Sequence, residues 1–106
     1  MSQWTRSTLD AIDQWIDANG SSFHDGEPFP HAVIDNVFDD AILQRVLAEF
    51  PDPDSPIWDR SNDPGIQVKL RSNWESDEDI EPATRELVHF LNSGEFMRRL
   101  SRLTKI

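Results

Sequence analysis

The sequence predicts an α+β, helix-rich fold with two or three strands. Apolar residues recur at helical spacing in several stretches, alternate at strand spacing in only two short ones, and prolines punctuate the intervals. At 106 residues the chain is read as one domain, 1–106. A chain of that size buries roughly two thirds of its unfolded surface, enough for a modest core.

The elements follow in order. Ser7 to Asn19 reads as a helix: Ser7 and Asp10 have capping-box-like spacing, Leu9, Ile12, Trp15 and Ile16 make one apolar stripe, and Gly20 stops it. Asp10, Asp13 and Asp17 fall on its other faces and are expected to be wet. Ser21 to Pro30 is a loop rich in glycine, serine and proline. His31-Ala32-Val33-Ile34 carries a short strand signal. Asp39-Asp40 then caps a second helix, Ala41 to Phe50, with Ile42, Leu43, Val46, Leu47 and Phe50 at helical spacing. The run Pro51-Asp52-Pro53-Asp54-Ser55-Pro56 ends it, because successive prolines cannot continue a helix.

Ile57 to Ser76 is irregular, with Trp58 and Trp74 on either side of a strand at Ile66 to Leu70. Alternation there places Ile66, Val68 and Leu70 on one face and Gln67, Lys69 and Arg71 on the other. Ser76-Asp77-Glu78-Asp79 is an acidic loop. Pro82 opens a third helix that reaches Leu91. Ser93 caps a fourth, with Phe96, Met97, Leu100 and Leu103 as its buried stripe.

Charge and composition exclude several functions. Twenty acidic against ten basic residues give a net charge of −10, which repels phosphate backbones and argues against nucleic-acid binding. No run approaches the ~20 apolar residues of a membrane span. The first residues lack an apolar signal-peptide core, so a cytoplasmic location is expected. Without cysteine there are no disulfides, thiolate metal sites or cysteine nucleophiles. Arg98, Arg99, Arg102 and Lys105 crowd the last nine residues, where cations oppose the negative end of a helix dipole.

Candidate chemistry is sparse. His31 sits beside apolar strand residues as a packing residue, His24 in a polar loop next to Asp25, and His89 between Val88 and Phe90 as a boundary residue of the core. The carboxylate groups Asp39/Asp40, Asp52/Asp54 and Asp77/Glu78/Asp79 read as caps and solvated loops. The run from Asp77 to Glu81 lacks the spacing and the glycine of an EF-hand. Four tryptophans read as buried area for a small core, with loop anchors for a ligand as the less favoured use.

Three blocks carry a resemblance. They are Pro28-Phe29-Pro30-His31-Ala32-Val33-Ile34-Asp35-Asn36-Val37-Phe38, then Gln67-Val68-Lys69-Leu70-Arg71, then Leu91 to Ile106. In order and spacing they resemble the N-terminal part of the 2-oxoglutarate/Fe(II)-dependent dioxygenases of the prolyl-hydroxylase-like family. The resemblance makes 28–106 a family-like region and 1–27 a helical lead-in. It implies a helix-rich N-terminal support layer with two or three strands of an incomplete double-stranded β-helix (jelly roll) of about eight strands. In that family the iron-binding His-x-Asp pair and the third ligand come after the block that closes with Ile106. The residues two positions after His24, His31 and His89 are Gly26, Val33 and Leu91, so none starts the motif.

The expectation is therefore the N-terminal segment of an oxygenase, not catalytic alone, with no catalytic, cofactor-binding or metal-binding residues of its own. Iron and 2-oxoglutarate are implied only for the full-length family. Lys69, which matches a family lysine, and Asn73 are the substrate-proximal candidates. The expected partner is the missing C-terminal catalytic core or a second copy, since one sheet edge and one apolar helix face are expected to lack a partner. A non-catalytic acidic protein-interaction or assembly module is the alternative. The family usually carries glycine where Lys105 stands, which permits a left-handed turn.

Overall fold

The computed structural model describes residues 2–63 and 67–106, with side chains at all of these except 60–63 and 67–69. The first helix, α1, spans Gln3–Asn19 and begins a turn earlier than Ser7. Ser2 is its cap: the Ser2 hydroxyl accepts from the Thr5 N–H, and Thr5 Oγ1 donates to the Ser2 carbonyl at 2.8 Å. The earlier start places Trp4 one turn before Thr8, so Trp4, Thr8, Ile12 and Ile16 line the buried face together with Leu9. A 3-10 turn over Gly20–Phe23 follows.

Helix α2, Asp40–Glu49, is capped by Asp39, whose carboxylate accepts from the Ala41 N–H at 2.9 Å. Helix α3, Pro82–Leu91, has proline in its first turn as expected. Its own N-cap residue, Glu81, makes no side-chain cap bond. The carboxylate of Glu49, at the end of α2, does so instead and accepts from the N–H groups of Ala83 and Thr84. Helix α4, Gly94–Thr104, starts at Ser93, whose hydroxyl accepts from the Phe96 N–H at 3.2 Å.

The end of α4 adopts the left-handed conformation without glycine. Lys105 has φ 66° and its N–H closes on the Ser101 carbonyl at 2.8 Å. A Cβ in that region costs about 1 kcal/mol. Lys105→Gly should accordingly raise stability by about 0.5–1 kcal/mol, read as a higher thermal midpoint at unchanged helix content.

The sheet among the described residues is one antiparallel hairpin, β1 at Trp58–Asp63 and β2 at Gln67–Ser72, with Trp58 opposite Ser72 and Ser61 opposite Lys69. The general α+β class stands. The first half of the hairpin falls in the stretch read as irregular, because Trp58-Asp59-Arg60-Ser61-Asn62-Asp63 has no apolar alternation to read. Ile66, the expected start of the second strand, lies outside the described residues.

His31–Ile34 is not a strand. The alternation is real, with Ala32 and Ile34 half-buried and Val33 70% exposed. It places the inner residues against α1 and α4 rather than in a ladder: Ala32, Ile34 and Val37 pack on Ile12, Ile16 and Leu103. Before this segment the chain folds back through Gly26. A Cβ there would stand 2.7 Å from His31 Nδ1 and 2.8 Å from the Phe29 carbonyl, so only glycine fits.

Two clusters make the core. Trp4, Leu9, Ile42, Ala83 and Phe90 join α1, α2 and α3, and Ile12, Ile16 and Leu103 join α1 to α4, with Phe96 touching both. Phe90 meets Trp4 edge-on at 5.2 Å and packs against Phe38 and Phe96. The fourth helix buries less than its spacing suggests: Leu103 is inside, but Met97 and Leu100 are 43% and 38% exposed.

Asp13 and Asp17 are not merely wet. Arg99 grips both Asp13 oxygens at 3.2 and 3.1 Å and reaches Glu95 at 2.8 Å, while Arg102 pairs with Asp13 and Asp17. Arg99 and Arg102 thus tie α4 to α1, a second role beside easing a helix dipole.

The shape is open for its length. The radius of gyration is 17.3 Å, against about 13 Å for a compact chain of this size. The accessible surface is 7737 Å², against about 6,100 Å² for a folded monomer of this mass. No helix among the described residues is long and apolar enough to cross a membrane.

Candidate functional site

The three histidines each have local partners. His24 follows the 3-10 turn and sets its ring edge-on to Phe23 at 5.0 Å. His31 is exposed rather than packed, with Nδ1 2.8 Å from the Phe29 carbonyl. His89, expected at the core boundary, is exposed on α3 and stands 2.6 Å from an Asp77 oxygen. Asp79 accepts from the N–H groups of Glu75 and Ser76 at 3.0 and 3.2 Å, which closes the acidic loop on itself. Among the described residues no group of three or more histidine, cysteine, aspartate or glutamate side chains could hold a metal ion.

Asn73 anchors the base of the hairpin. Its N–H donates to the Ile57 carbonyl at 2.7 Å and its amide to the Pro56 carbonyl at 3.0 Å. Both bonds are structural, and they hold the residue after β2 beside the residues before β1. Lys69 lies on β2 opposite Ser61; its side chain is outside those described. Trp58 stacks on Phe50 at 6.0 Å and donates its indole N–H to the Asp52 carbonyl at 2.9 Å, so it docks the hairpin on the end of α2.

A polar bridge crosses the three-helix end of the molecule. The Trp4 indole donates to Glu86 Oε1 at 2.9 Å, and Arg45 donates to Glu86 Oε2 at 2.9 Å. Glu86 therefore links α1, α2 and α3 beside a hollow of about 420 Å³ that Trp4, Phe90, Glu86 and His89 help to line. The Trp4 hydrogen bond is the main cause holding the Glu86 carboxyl below its ordinary value; Arg45 adds to it and partial burial opposes it.

A depressed carboxyl contributes stability above its unfolded value and loses it as pH falls through the folded one. Denaturant midpoints taken from neutral pH down to about pH 3 should therefore show an acid loss that Glu86→Gln reduces, since glutamine still accepts from Trp4 but carries no charge.

The remaining feature is uncovered apolar surface. Leu43 and Leu47 on α2 and Phe50 at its C-cap are 41%, 69% and 61% exposed and follow one another at i, i+4 and i+7. Val33 on the extended segment, and Met97 and Leu100 on α4, are further exposed apolar residues. Sequence spacing identifies all the helical members as apolar positions; it places Met97 and Leu100 in a buried stripe, and it leaves one apolar helix face without a partner. Comparison with protein-family models, curated proteins and solved structures finds no match to this chain.

Proposed function

We propose that this chain is the N-terminal support portion of a 2-oxoglutarate/Fe(II)-dependent oxygenase of the prolyl-hydroxylase-like type, without catalysis of its own. Its helices brace the outside of a jelly-roll core supplied by further sequence, in which iron and 2-oxoglutarate would hydroxylate an unactivated C–H bond. A cytoplasmic setting belongs to the same reading. The observation that carries it is the His31–Ile34 segment. It is extended, half-buried on its inner face and bare on its outer face, and it has no ladder partner among the described residues. Such a segment is ready to take a strand beside it. The surface excess of roughly 1,600 Å² on this one chain is about twice what one partner gives to a standard interface and matches the larger, obligate class, which buries about 2,000–5,000 Å² over both partners.

Among the described residues the three histidines do not come together as an iron site requires. His24, His31 and His89 stand in separate elements with their own contacts, and no step of the oxidation is assigned to them. Fusing this chain ahead of a jelly-roll core that carries the His-x-Asp pair and the third histidine tests the reading. The expected result is protection of the amides of residues 32–34 from hydrogen exchange and 2-oxoglutarate-dependent succinate release. A fusion in which those amides stay unprotected while the core folds would overturn it.

A further inference from the structure

We propose that the Leu43–Leu47–Phe50 stripe of α2 is a docking surface for a cationic amphipathic helix of another protein. The surface borders the end of the extended segment at Ile34 and Asp35 but takes its anchors from α2 and its C-cap, and the inference does not depend on the oxygenase reading. Three apolar side chains at i, i+4 and i+7 cover two helical turns, about 10 Å, which is the spacing that helix-in-groove recognition uses. All three remain exposed although Ile42, on the same helix, is 1% exposed. The helix therefore carries one apolar face for its own core and another that stays largely exposed, with Trp58 of β1 set against Phe50 at its end.

Charge chooses the occupant. Carboxylates stand at both ends of the stripe. Asp35 and Asp40 border a hollow of about 320 Å³ beside Leu43, and Asp52, Asp54 and Glu81 border one of about 650 Å³ beyond Phe50. Arg45 is the one basic residue of α2, and it is committed to Glu86 at 2.9 Å. A second copy would bring the same carboxylates against these and a net charge of −10 against −10. An anionic lipid surface or a nucleic acid meets the same repulsion. A helix with leucine-like anchors flanked by lysine or arginine satisfies both the apolar stripe and its acidic ends.

The test uses the whole chain and two synthetic helices of about 18 residues, one built of leucine and lysine and one with glutamate in place of lysine. Titration calorimetry with amide chemical shifts should show saturable one-to-one binding of the lysine peptide, with shifts centred on α2. Leu43→Gln with Leu47→Gln should weaken it at least about tenfold. Ile106→Gln, at a residue 96% exposed and remote in sequence, should leave it unchanged. Asp52→Asn with Asp54→Asn should flatten its salt dependence. Absence of binding, equal binding of the glutamate peptide, or binding that survives the paired leucine substitutions would overturn the proposal. So would a dimer in light scattering that the same leucine substitutions dissolve, which would make the stripe a self-association face.

Discussion

Phe90→Ala is expected to cost about 3–5 kcal/mol and to leave much of the protein unfolded at 25 °C. Truncating a buried phenylalanine removes its transfer free energy and leaves a cavity that neighbours fill only partly. Phe90 is 5% exposed and touches Trp4, Phe38 and Phe96, so one substitution loosens α1, the segment before α2, and α4 together. Domains have about 5–15 kcal/mol in total. Here only eight apolar side chains are buried among the described residues, which puts the chain near the lower end. Urea titrations followed by tryptophan near-UV circular dichroism read the loss directly. Phe90→Leu, which keeps most of the volume, should cost far less; a similar cost for both would mean that ring volume is not what holds this end together.

Arg99→Met should cost about 1–3 kcal/mol, the second largest effect. Arg99 is 20% exposed and its guanidinium donates to both Asp13 oxygens and to Glu95 Oε2 and the Glu95 carbonyl. Methionine keeps the apolar stem and removes only the charge and its bonds, so the change isolates the electrostatic link between α1 and α4. The upper figure belongs to a fully desolvated pair, and the partial exposure of Asp13 and its second partner Arg102 bring the expectation down. A double-mutant cycle with Asp13→Asn should give a coupling of about 1 kcal/mol that shrinks in high salt. Additive single costs would show that the pair is a surface contact without energetic consequence.

Much of the helical layer was legible in the sequence. The boundaries of α2 and α3 and the start of α4 lie within a residue of those that spacing, Pro82 and Ser93 indicate, because each has a local signal: a period, a fixed φ, a capping hydroxyl. What joins the helices was not legible. The Asp13–Arg99 pair spans 86 positions, and the Glu49 carboxylate caps a helix 34 positions away, so neither leaves a local trace. Ser2 was missed as a cap because Trp4, an apolar residue of the next turn, was read as part of a lead-in.

The strand expected up to Leu70 is present as β2, Gln67–Ser72; the other two segments depart from the pattern for opposite reasons. His31–Ile34 alternates because one side rests on helices, and alternation reports half-burial of an extended chain, not pairing. The polar hairpin strand at Trp58–Asp63 pairs without alternating, so pattern could not find it. Asn73 carries no local sequence sign of its bond to the Pro56 carbonyl, 17 positions away. The stripe at Leu43, Leu47 and Phe50 was read correctly as helical and apolar; what spacing could not give is which of two apolar faces the chain itself covers.

The role proposed for this chain is support without a metal site of its own. The most direct measurement is a titration of the purified chain with Mn(II), an oxygen-stable stand-in for iron, in the presence and absence of 2-oxoglutarate, with molar mass followed by light scattering. The account predicts no stoichiometric binding of either. Tight one-to-one metal binding, lost on replacing His24, His31 or His89, would contradict it, because it would give these histidines a shared site in place of their separate local contacts.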